Sequence, residues 1–303
     1  MDIRKLSPSV GGEVVGIDLS KPILAKQFAK VRDAFLDHSM LLFRGQNLTP
    51  AQLVAFSESW GPTESYSTTI GEFVMKDQPL IVLSNIVENG KPVGAQDAGR
   101  YWHTDGSYVR KPAWFSALYA REVPKGDDGR SLGDTRFSSM AAAYEALPSE
   151  DKALIEKMTA CHKYVYRYTK RDTQLEGVSQ PMVLTHPLTG RRGIYVNAGF
   201  TDHAENVTEE ESKKLLGRLY EHVEHDDFVY RHRWEAGDVV MWDNYATQHR
   251  ATGDFGPQRR RLMWRATIQG FDLSKPPRRD RQPDRSAIDQ RDPSQVKAAT
   301  AAA

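Results

Sequence analysis

Three short stretches in the C-terminal half decide the fold class. They are FVYRHRW at residues 228–234, DVVMWDN at 238–244 and RRLMWRATI at 260–268. Each is rich in β-branched and aromatic residues and has the length of a single strand. Turn signals separate them, namely Ala236-Gly237 and Phe255-Gly256-Pro257. The pattern predicts consecutive strands of one β-structure.

The rest of the chain adds further strands and several helices. There is no repeated strand–helix–strand rhythm, so the sequence favours a mainly β fold with flanking helices around a sandwich or barrel core. Apolar runs predict strands, and apolar residues at helical spacing predict helices, one of them with Thr49 as its N-cap and Pro50 at its first position. The predicted strands are 10–19, 40–43, 80–83, 114–122, 134–137 and 194–197, and the predicted helices are 26–38, 49–60, 138–158 (broken near Pro148) and 208–225.

The C-terminal end has a different composition. From residue 272 onward the sequence is rich in Pro, Arg, Asp and Gln and has almost no apolar anchors. Such a segment cannot bury enough apolar surface to offset its ordering entropy. We therefore expect residues 1–270 to form a single domain and residues 271–303 to form a disordered or loosely packed tail.

Composition narrows the class of partner. Hydrophobic residues make up 39% of the chain, which is enough for a buried core, and 41 basic against 40 acidic residues leave a formal net charge of +1. A balanced charge gives no electrostatic signature for nucleic acid or an anionic membrane. The single cysteine, Cys161, fits a reducing cytoplasm, and no long apolar run predicts a membrane span. We expect a cytoplasmic protein that binds a small molecule.

A candidate metal site begins at His103 and Asp105. Residues two apart in an extended segment project from the same face, so this imidazole and carboxylate can converge on one ion. A third ligand has to come from elsewhere, and His249, just after a predicted strand, is the candidate. Two histidines and one carboxylate form the facial ligand set of non-haem Fe(II) oxygenases. The His-x-Asp pattern alone is weak, since His225-Asp226-Asp227 repeats it where a solvated helix end explains it.

Two arginines strengthen the hypothesis. On a strand, Arg261 and Arg265 share one face with Met263 and Thr267. Buried guanidinium groups need anionic partners, and a guanidinium binds a carboxylate through two parallel hydrogen bonds. A dicarboxylate such as 2-oxoglutarate needs one such cation when its other end chelates iron. An exposed strand face paired with surface acids is the competing interpretation, and residue patterning leaves both open.

In order and spacing these motifs resemble the taurine/phenoxyacetate dioxygenase family of Fe(II)- and 2-oxoglutarate-dependent enzymes. The resemblance covers roughly residues 5–270. The matching motifs are Trp102-His103-Thr104-Asp105, Gly133-Asp134-Thr135, Thr185-His186-Pro187 with Gly190, Val196-Asn197, Trp242-Asp243-Asn244 through His249, and Arg261 with Arg265.

The resemblance implies a role for each matching position. His103, Asp105 and His249 would bind Fe(II), Arg261 and Thr135 would hold the distal carboxylate of 2-oxoglutarate, and Arg265 would lie beside the co-substrate, within reach of an acidic substrate group. The implied fold is a double-stranded β-helix, or jelly roll. The implied reaction consumes O2 and 2-oxoglutarate, releases succinate and CO2, and hydroxylates a small organic substrate. A homo-oligomer is also expected.

The sequence departs from the taurine-acting members. It has no histidine in Trp60-Gly61-Pro62-Thr63-Glu64-Ser65-Tyr66, and Asp97-Ala98-Gly99-Arg100-Tyr101 replaces an asparagine-rich stretch. A sulfonate, an aryloxyalkanoate or a related acid remains the expected substrate class, and the carboxylate of Asp105 argues against halogenation. The candidate residues for the substrate pocket are Arg100, Tyr101, Ser107, Tyr108 and the stretch 162–180.

Two other functional classes use similar features. A catalytically silent jelly-roll binding protein would keep the fold but is expected to lose metal ligands or Arg261. A zinc hydrolase accepts the same ligand set with an open position, but it needs a general base and has no use for paired arginines.

Overall fold

The protein is described here by a computed structural model covering residues 1–64, 73–96, 99–164 and 176–273. Strands predominate in these residues, which confirms the mainly β prediction. Of the tail predicted at 271–303, residues 271–273 lie within these ranges and residues 274–303 lie outside them. The tail prediction is wrong for its first residues, because Phe271 and Leu273 pack against the core. Within the same ranges, no helix is long and apolar enough to cross a membrane. The strands are β1 Asp2–Lys5, β2 Gly12–Val15, β3 Met40–Phe43, β4 Ile81–Ser84, β5 Val87–Glu88, β6 Lys91–Pro92, β7 Phe115–Glu122, β8 Thr135–Ser139, β9 Thr159–His162, β10 Val178–Pro181, β11 Val183–Thr185, β12 Arg192–Ile194, β13 Thr201–Ala204, β14 Val229–His232, β15 Val239–Asp243, β16 Thr247–Ala251 and β17 Leu262–Ile268, and the helices are α1 Ala25–His38, α2 Pro50–Glu58, α3 Met140–Ala146, α4 Ser149–Ile155 and α5 Glu209–Val223.

The largest sheet mixes strands from both ends of the chain. Its order is β1-β2-β3-β15-β7-β17-β4, and its neighbours are antiparallel except for the parallel pair β2 and β3. The late strands β15 and β17 therefore flank β7 in the middle of the sheet. Two of the three stretches that predicted the fold class thus supply central strands of this sheet.

A second, three-stranded sheet has the order β14-β8-β16. Its central strand β8 pairs with both neighbours in antiparallel register, and His249 lies opposite Phe137. Residues from both sheets line the same large cavity, including Leu118 and Arg265 from the first sheet and Thr135 and His249 from the second. Thr135, Arg265 and His249 therefore project from regular strands, which hold side chains more precisely than loops do.

Helix α1 closes one face of the large sheet. Its buried residues are Val31, Ala34 and Phe35, at the helical spacing seen in the sequence. The ring of Phe35 is fully buried and meets Trp60 and Phe115 edge-on, with ring centroids 5.3 and 5.4 Å away. This aromatic cluster fixes the helix against the core.

Helix ends follow the expected signals. Pro50 occupies the first position of α2, and the Oγ1 of Thr49 accepts a hydrogen bond from the backbone N–H of Gln52 at 3.3 Å. At the end of α1, Ser39 adopts a left-handed conformation with φ 59°, which stops the helix before β3. Pro148 lies between α3 and α4, as the sequence predicted.

Two strand predictions need correction. The strand predicted at 194–197 ends at Ile194, because the side chain of Asn197 accepts a hydrogen bond from the backbone N–H of Phe200 at 2.9 Å and turns the chain. His249 follows the predicted strand, now β15, as expected, but it lies in a further strand, β16, that was not predicted. The sequence of β16, TQHRA, hides the strand because its buried residues are polar.

Replacing Phe35 with alanine should lower the free energy of unfolding by about 3–5 kcal/mol, since the buried ring leaves a cavity. Urea denaturation measures the change. Leu24→Ala is the control: Leu24 is 70% exposed, and its replacement should change the free energy by less than about 0.5 kcal/mol. Equal effects for the two variants would contradict the core assignment.

Candidate active site

The site is built on a backbone pairing between His103 and His249. The N–H of His103 donates to the carbonyl of His249 at 3.0 Å, and the N–H of His249 donates back at 2.8 Å. Residues directly opposite each other in an antiparallel pair point to the same side. The two imidazole rings accordingly lie together, with centroids 4.1 Å apart.

Asp105 completes a three-residue cluster. Its Oδ1 lies 3.8 Å from Nε2 of His103. The possible ligand atoms of His103, Asp105 and His249 all lie within 4.8 Å of one another, and all three residues are buried. The structure thus brings together the three residues that the sequence analysis selected, although His249 follows His103 by 146 positions.

The protonation states suit a cation. Burial lowers the pKa of His103 and takes that of His249 well below its usual range, so both rings are neutral near pH 7. For Asp105 burial acts in the opposite direction, but the charge of Arg265 and a hydrogen bond from Ser116 bring its pKa well below the ordinary value. Two neutral nitrogen donors and one carboxylate are the donor set that a divalent metal takes.

The tautomer of His103 also fits metal binding. Its Nδ1 lies 2.8 Å from the carbonyl of Tyr101 and donates its proton there. Nε2, the nitrogen nearer Asp105, is then left with a free lone pair. A second contact that holds an imidazole in this way is typical of metal-binding histidines.

All six residues predicted for the site line one cavity of about 470 Å³. This volume lies in the usual range for a small-molecule site. The cavity contains the metal candidates and both arginines, together with apolar and aromatic walls. The six residues are His103, Asp105, His249, Thr135, Arg261 and Arg265.

Arg261 is a cation without an anionic partner among the described residues. Burial lowers its pKa to about 10, and its Nε has no hydrogen-bond partner there. Its guanidinium lies 6.0 Å from the ring of Phe255. The competing interpretation requires a surface acid beside this arginine, and none of the described residues supplies one. The cavity instead presents it with space for an anion.

Thr135 supplies a hydroxyl in the same cavity. Its Oγ1 accepts a hydrogen bond from the indole N–H of Trp234 at 3.0 Å. Because the oxygen is held as an acceptor, the hydroxyl proton can be donated to a ligand oxygen. Arg261 and Thr135 together suit a carboxylate.

Arg265 occupies a different position. One of its terminal nitrogens, Nη1, lies 3.2 Å from Oδ1 of Asp105, so it pairs with a candidate metal ligand. Its Nε is buried and has no hydrogen-bond partner among the described residues. The guanidinium therefore neutralises Asp105 while keeping a donor for another oxygen beside the three-residue cluster.

The predicted substrate-pocket residues separate into two groups. Tyr101 and Tyr108 line the cavity. Ser107 is buried, and its hydroxyl accepts a hydrogen bond from the side chain of Asn197 at 3.3 Å. Arg100 lines a smaller adjacent cavity that also touches Arg261. Part of the stretch 162–180, residues 165–175, lies outside the described residues.

The Thr185-His186-Pro187 motif lies outside the cavity lining and supports the structure. Nδ1 of His186 accepts hydrogen bonds from the backbone N–H groups of Leu188 and Thr189, each at 3.1 Å. The proton is then on Nε2, which donates to Asp243 at 2.8 Å. This buried pair anchors the loop after β11 to the end of β15.

Two other clusters resemble metal sites and differ from this one in exposure. In the second His-x-Asp pattern, the side chains of His225 and Asp227 are 64% and 79% exposed, as the sequence indicated. Cys161, Asp202 and His203 also approach one another, but His203 and Asp202 are exposed. Burial raises the pKa of Cys161, which argues against an activated thiol.

Sequence reasoning missed several residues around the site. Ser116 touches Asp105 directly, and so does the side chain of Asn244, which lies in a matching motif but had no predicted role. Phe200 lines the cavity, and its ring centroid lies 5.7 Å from that of His103. Tyr164 also lines the cavity, but it belongs to the stretch 162–180 that the sequence named. Only the register of β7 against β15, which no local pattern encodes, would have identified Ser116.

Comparison with known proteins agrees with this geometry. The sequence profile of the family "Taurine catabolism dioxygenase TauD, TfdA family" matches residues 2–267. The chain belongs to this family. It is therefore an oxidoreductase of the 2-oxoglutarate-dependent dioxygenase class, as the motifs predicted.

Characterised relatives of this TauD/TfdA chain act on different substrates. One, 33% identical over 86% of this chain and 95% of its own, is the alpha-ketoglutarate-dependent 2,4-dichlorophenoxyacetate dioxygenase of Cupriavidus pinatubonensis. Another, 29% identical over 89% of this chain and 85% of its own, is an alkylsulfatase of Acinetobacter baylyi.

Solved structures of similar proteins share the fold of this chain. A putative alpha-ketoglutarate-dependent taurine dioxygenase from Burkholderia xenovorans superposes with a TM-score of 0.76, at 31% identity over 89% of this chain and 93% of its own. AAD-2 in complex with Mn(II) and N-oxalylglycine gives a TM-score of 0.75, at 31% identity over 90% of this chain and 99% of its own.

The buried histidines predict a loss of stability in acid. His162 is fully buried, and burial lowers its pKa to about 3. The unfolded chain takes up its proton near pH 6.5 and the folded chain does not. The free energy of unfolding should therefore be unaffected above pH 7 and fall below pH 6.5, by up to about 1.4 kcal/mol per pH unit for each such histidine.

Urea titrations between pH 7.5 and 5.5, with a chelator present, measure this slope. His162→Gln should reduce the slope of the free energy of unfolding against pH by up to about 1.4 kcal/mol per pH unit, which corresponds to one proton. His225→Gln, at an exposed position, should leave the slope unchanged. The same slope in the His162 variant and the unmodified protein would show that His162 does not stay neutral.

Proposed function

We propose that this protein is an Fe(II)- and 2-oxoglutarate-dependent dioxygenase that oxidises a C–H bond of a small organic acid. One observation carries the proposal: a buried His-Asp-His cluster and an arginine unpaired among the described residues face the same cavity. A metal chelated by one end of a dicarboxylate whose other end meets a fixed cation requires this combination.

The residues present fit the metal. His103, Asp105 and His249 would hold it on one face and leave the remaining positions to the co-substrate and O2. Bound Fe(II) and 2-oxoglutarate supply the oxidation, in which 2-oxoglutarate and O2 yield succinate, CO2 and one oxygen atom for the substrate. A zinc hydrolase would need no cation such as Arg261, so the arginine favours the oxygenase.

The residues also fit 2-oxoglutarate. Arg261 and Thr135 offer donors for the distal carboxylate, and burial of Arg261 strengthens the ion pair because little water screens it. Arg265 would orient Asp105 and contribute its remaining donor to an oxygen of the co-substrate or of an acidic substrate. The positive charge of the two arginines would hold anionic ligands beside the metal.

The cavity wall next to His103 is aromatic. Tyr101 and Phe200 lie with ring centroids 5.1 and 5.7 Å from that of His103, and Tyr108 packs 4.7 Å from Phe200. Such a wall excludes water and offers surface for a ring or chain of the substrate. It supports an aryloxyalkanoate more than a sulfonate such as taurine, and the dichlorophenoxyacetate-acting relative agrees with that preference.

We also propose properties of the fold, the cellular location and the assembly. The two sheets that share the cavity support a double-stranded β-helix within a single domain over residues 1–270. Phe271 and Leu273 also pack against the core, which would extend the domain to residue 273. One cysteine supports a cytoplasmic location, and family membership supports a homo-oligomer.

Arg261→Met should weaken binding of 2-oxoglutarate by at least about 10–100-fold, because the charge-assisted hydrogen bonds are lost. The free energy of unfolding should stay constant or rise, since a buried charge without an anionic partner in the described structure is removed. Calorimetric titration of the Mn(II)-loaded protein measures the affinity. Arg260→Met is the matched control: the neighbouring guanidinium is exposed and pairs with Glu122 at 2.8 Å. Equal weakening in both variants would contradict the assigned role.

Turnover should produce succinate when the anaerobically iron-loaded protein meets 2-oxoglutarate, air and a panel of aryloxy acids and sulfonates. An aryloxy acid should stimulate succinate formation, and His103→Ala should abolish the stimulation while His225→Ala should retain it. Succinate yield by chromatography measures the result. If no panel member stimulates turnover and no ferrous–2-oxoglutarate absorption band forms, the proposed function is wrong.

A further inference from the structure

We infer that Ser116 is a positioning residue that holds Asp105 as a one-oxygen metal ligand. The inference rests on the proposed metal site and concerns a residue that no sequence motif selected. The hydroxyl of Ser116 donates to Oδ2 of Asp105 at 2.6 Å. Both partners are buried, Ser116 completely.

Ser116 sits where the sheet allows least movement. It is in β7, paired with Trp242 of β15 on one side and Thr267 of β17 on the other. A residue with hydrogen-bonded strands on both sides cannot shift without disturbing three strands. The hydroxyl is therefore a fixed point against which the carboxylate is oriented.

Asn244 determines which way the hydroxyl points. Its Nδ2 donates to Oγ of Ser116 at 3.4 Å, so that oxygen acts as an acceptor and its single proton goes to Asp105. The Oδ1 of Asn244 accepts from the backbone N–H of Asp105 at 3.2 Å and from the indole of Trp242 at 3.1 Å. The three residues form a closed loop, Asn244 to Ser116 to Asp105, and back to Asn244 through the backbone N–H of Asp105.

A second bond ties the same segment to the end of β15. The hydroxyl of Thr104 donates to the backbone carbonyl of Asn244 at 2.6 Å. Asn244 thus holds the Thr104-Asp105 segment in place, and Ser116 holds the carboxylate of Asp105. All these groups are buried, so water cannot replace the lost partner if one is removed.

The consequence concerns how many oxygens of Asp105 reach the metal. Oδ2 is engaged by Ser116, whereas Oδ1 pairs with Arg265 at 3.2 Å and is the atom 3.8 Å from Nε2 of His103. A carboxylate that ligates through one oxygen leaves three positions of an octahedron open, and ligation through both oxygens leaves two. Three are needed when a co-substrate binds through two atoms and O2 takes one. Ser116 would thus preserve the position for O2 by restraining Asp105.

The test compares Ser116→Ala with Ser138→Ala in the full-length protein. Ser138 is an equally buried strand serine, but its hydroxyl donates to the carbonyl of Val223 at 2.6 Å, away from the cavity. Mn(II) affinity by calorimetry and the visible spectrum of the Co(II)-loaded protein are the readouts, alongside the melting temperature. Loss of a contact that orients a ligand typically weakens metal binding about 10–100-fold.

We expect Ser116→Ala to weaken Mn(II) binding by about 10–100-fold and to alter the Co(II) spectrum. Ser138→Ala should lower the melting temperature similarly and change neither metal readout. Ser116→Thr, which keeps the hydroxyl, should restore affinity to within about threefold of the unmodified protein. If Ser116→Ala does not fold, Ser116→Cys, with a weaker donor, takes its place with the same expected weakening.

Two results would overturn the inference in distinguishable ways. If the unmodified protein binds Mn(II) and the alanine variants at 116 and 138 bind it equally well, Ser116 has no positioning role while the proposed metal site stands. If the unmodified protein binds Mn(II) no better than His103→Ala does, the metal site itself is wrong and the inference fails with it.

Discussion

The reciprocal hydrogen bonds between the backbones of His103 and His249 are the constraint on which the site depends. They join a segment that is otherwise irregular to strand β16 and fix the distance between two imidazoles. Close packing around this pairing leaves no room for a side chain at residue 199: a Cβ there would lie 2.5 Å from the ring of Tyr101 and 2.9 Å from Cβ of His103. Only glycine fits at position 199, so Gly199 is required for the two histidines to lie as they do.

Charge is distributed unevenly around that pairing. The neutral histidines contribute no charge, and the carboxylate of Asp105 is balanced by Arg265, which leaves Arg261 uncompensated among the described residues. Burying a cation without a counter-ion destabilises a fold, and the cost is offset when an anion enters the cavity. The fold thus gives up some stability in order to hold a guanidinium ready for a carboxylate.

Much of this arrangement could be predicted from sequence. Strands β3, β7, β15 and β17 have strong apolar patterns, and the metal ligands and arginines lie in motifs whose order and spacing are specific. Strand β16 was missed because its buried residues are polar, and the end of β12 was misplaced because a single side-chain hydrogen bond of Asn197 turns the chain. Ser116 was missed because its role comes from the strand beside it, and register across a sheet is not encoded by local spacing.

The order in which the site's parts occur along the chain has a consequence for synthesis. His103 and Asp105 emerge from the ribosome early, whereas His249 and both arginines emerge after more than 140 further residues, on β16 and in or beside the strand that lies between β7 and β4. An incomplete nascent chain has a histidine and a carboxylate but neither the third ligand nor the cations. The oxygen-consuming centre can therefore assemble only after the C-terminal strands have joined the sheet. Until then the growing chain cannot oxidise itself.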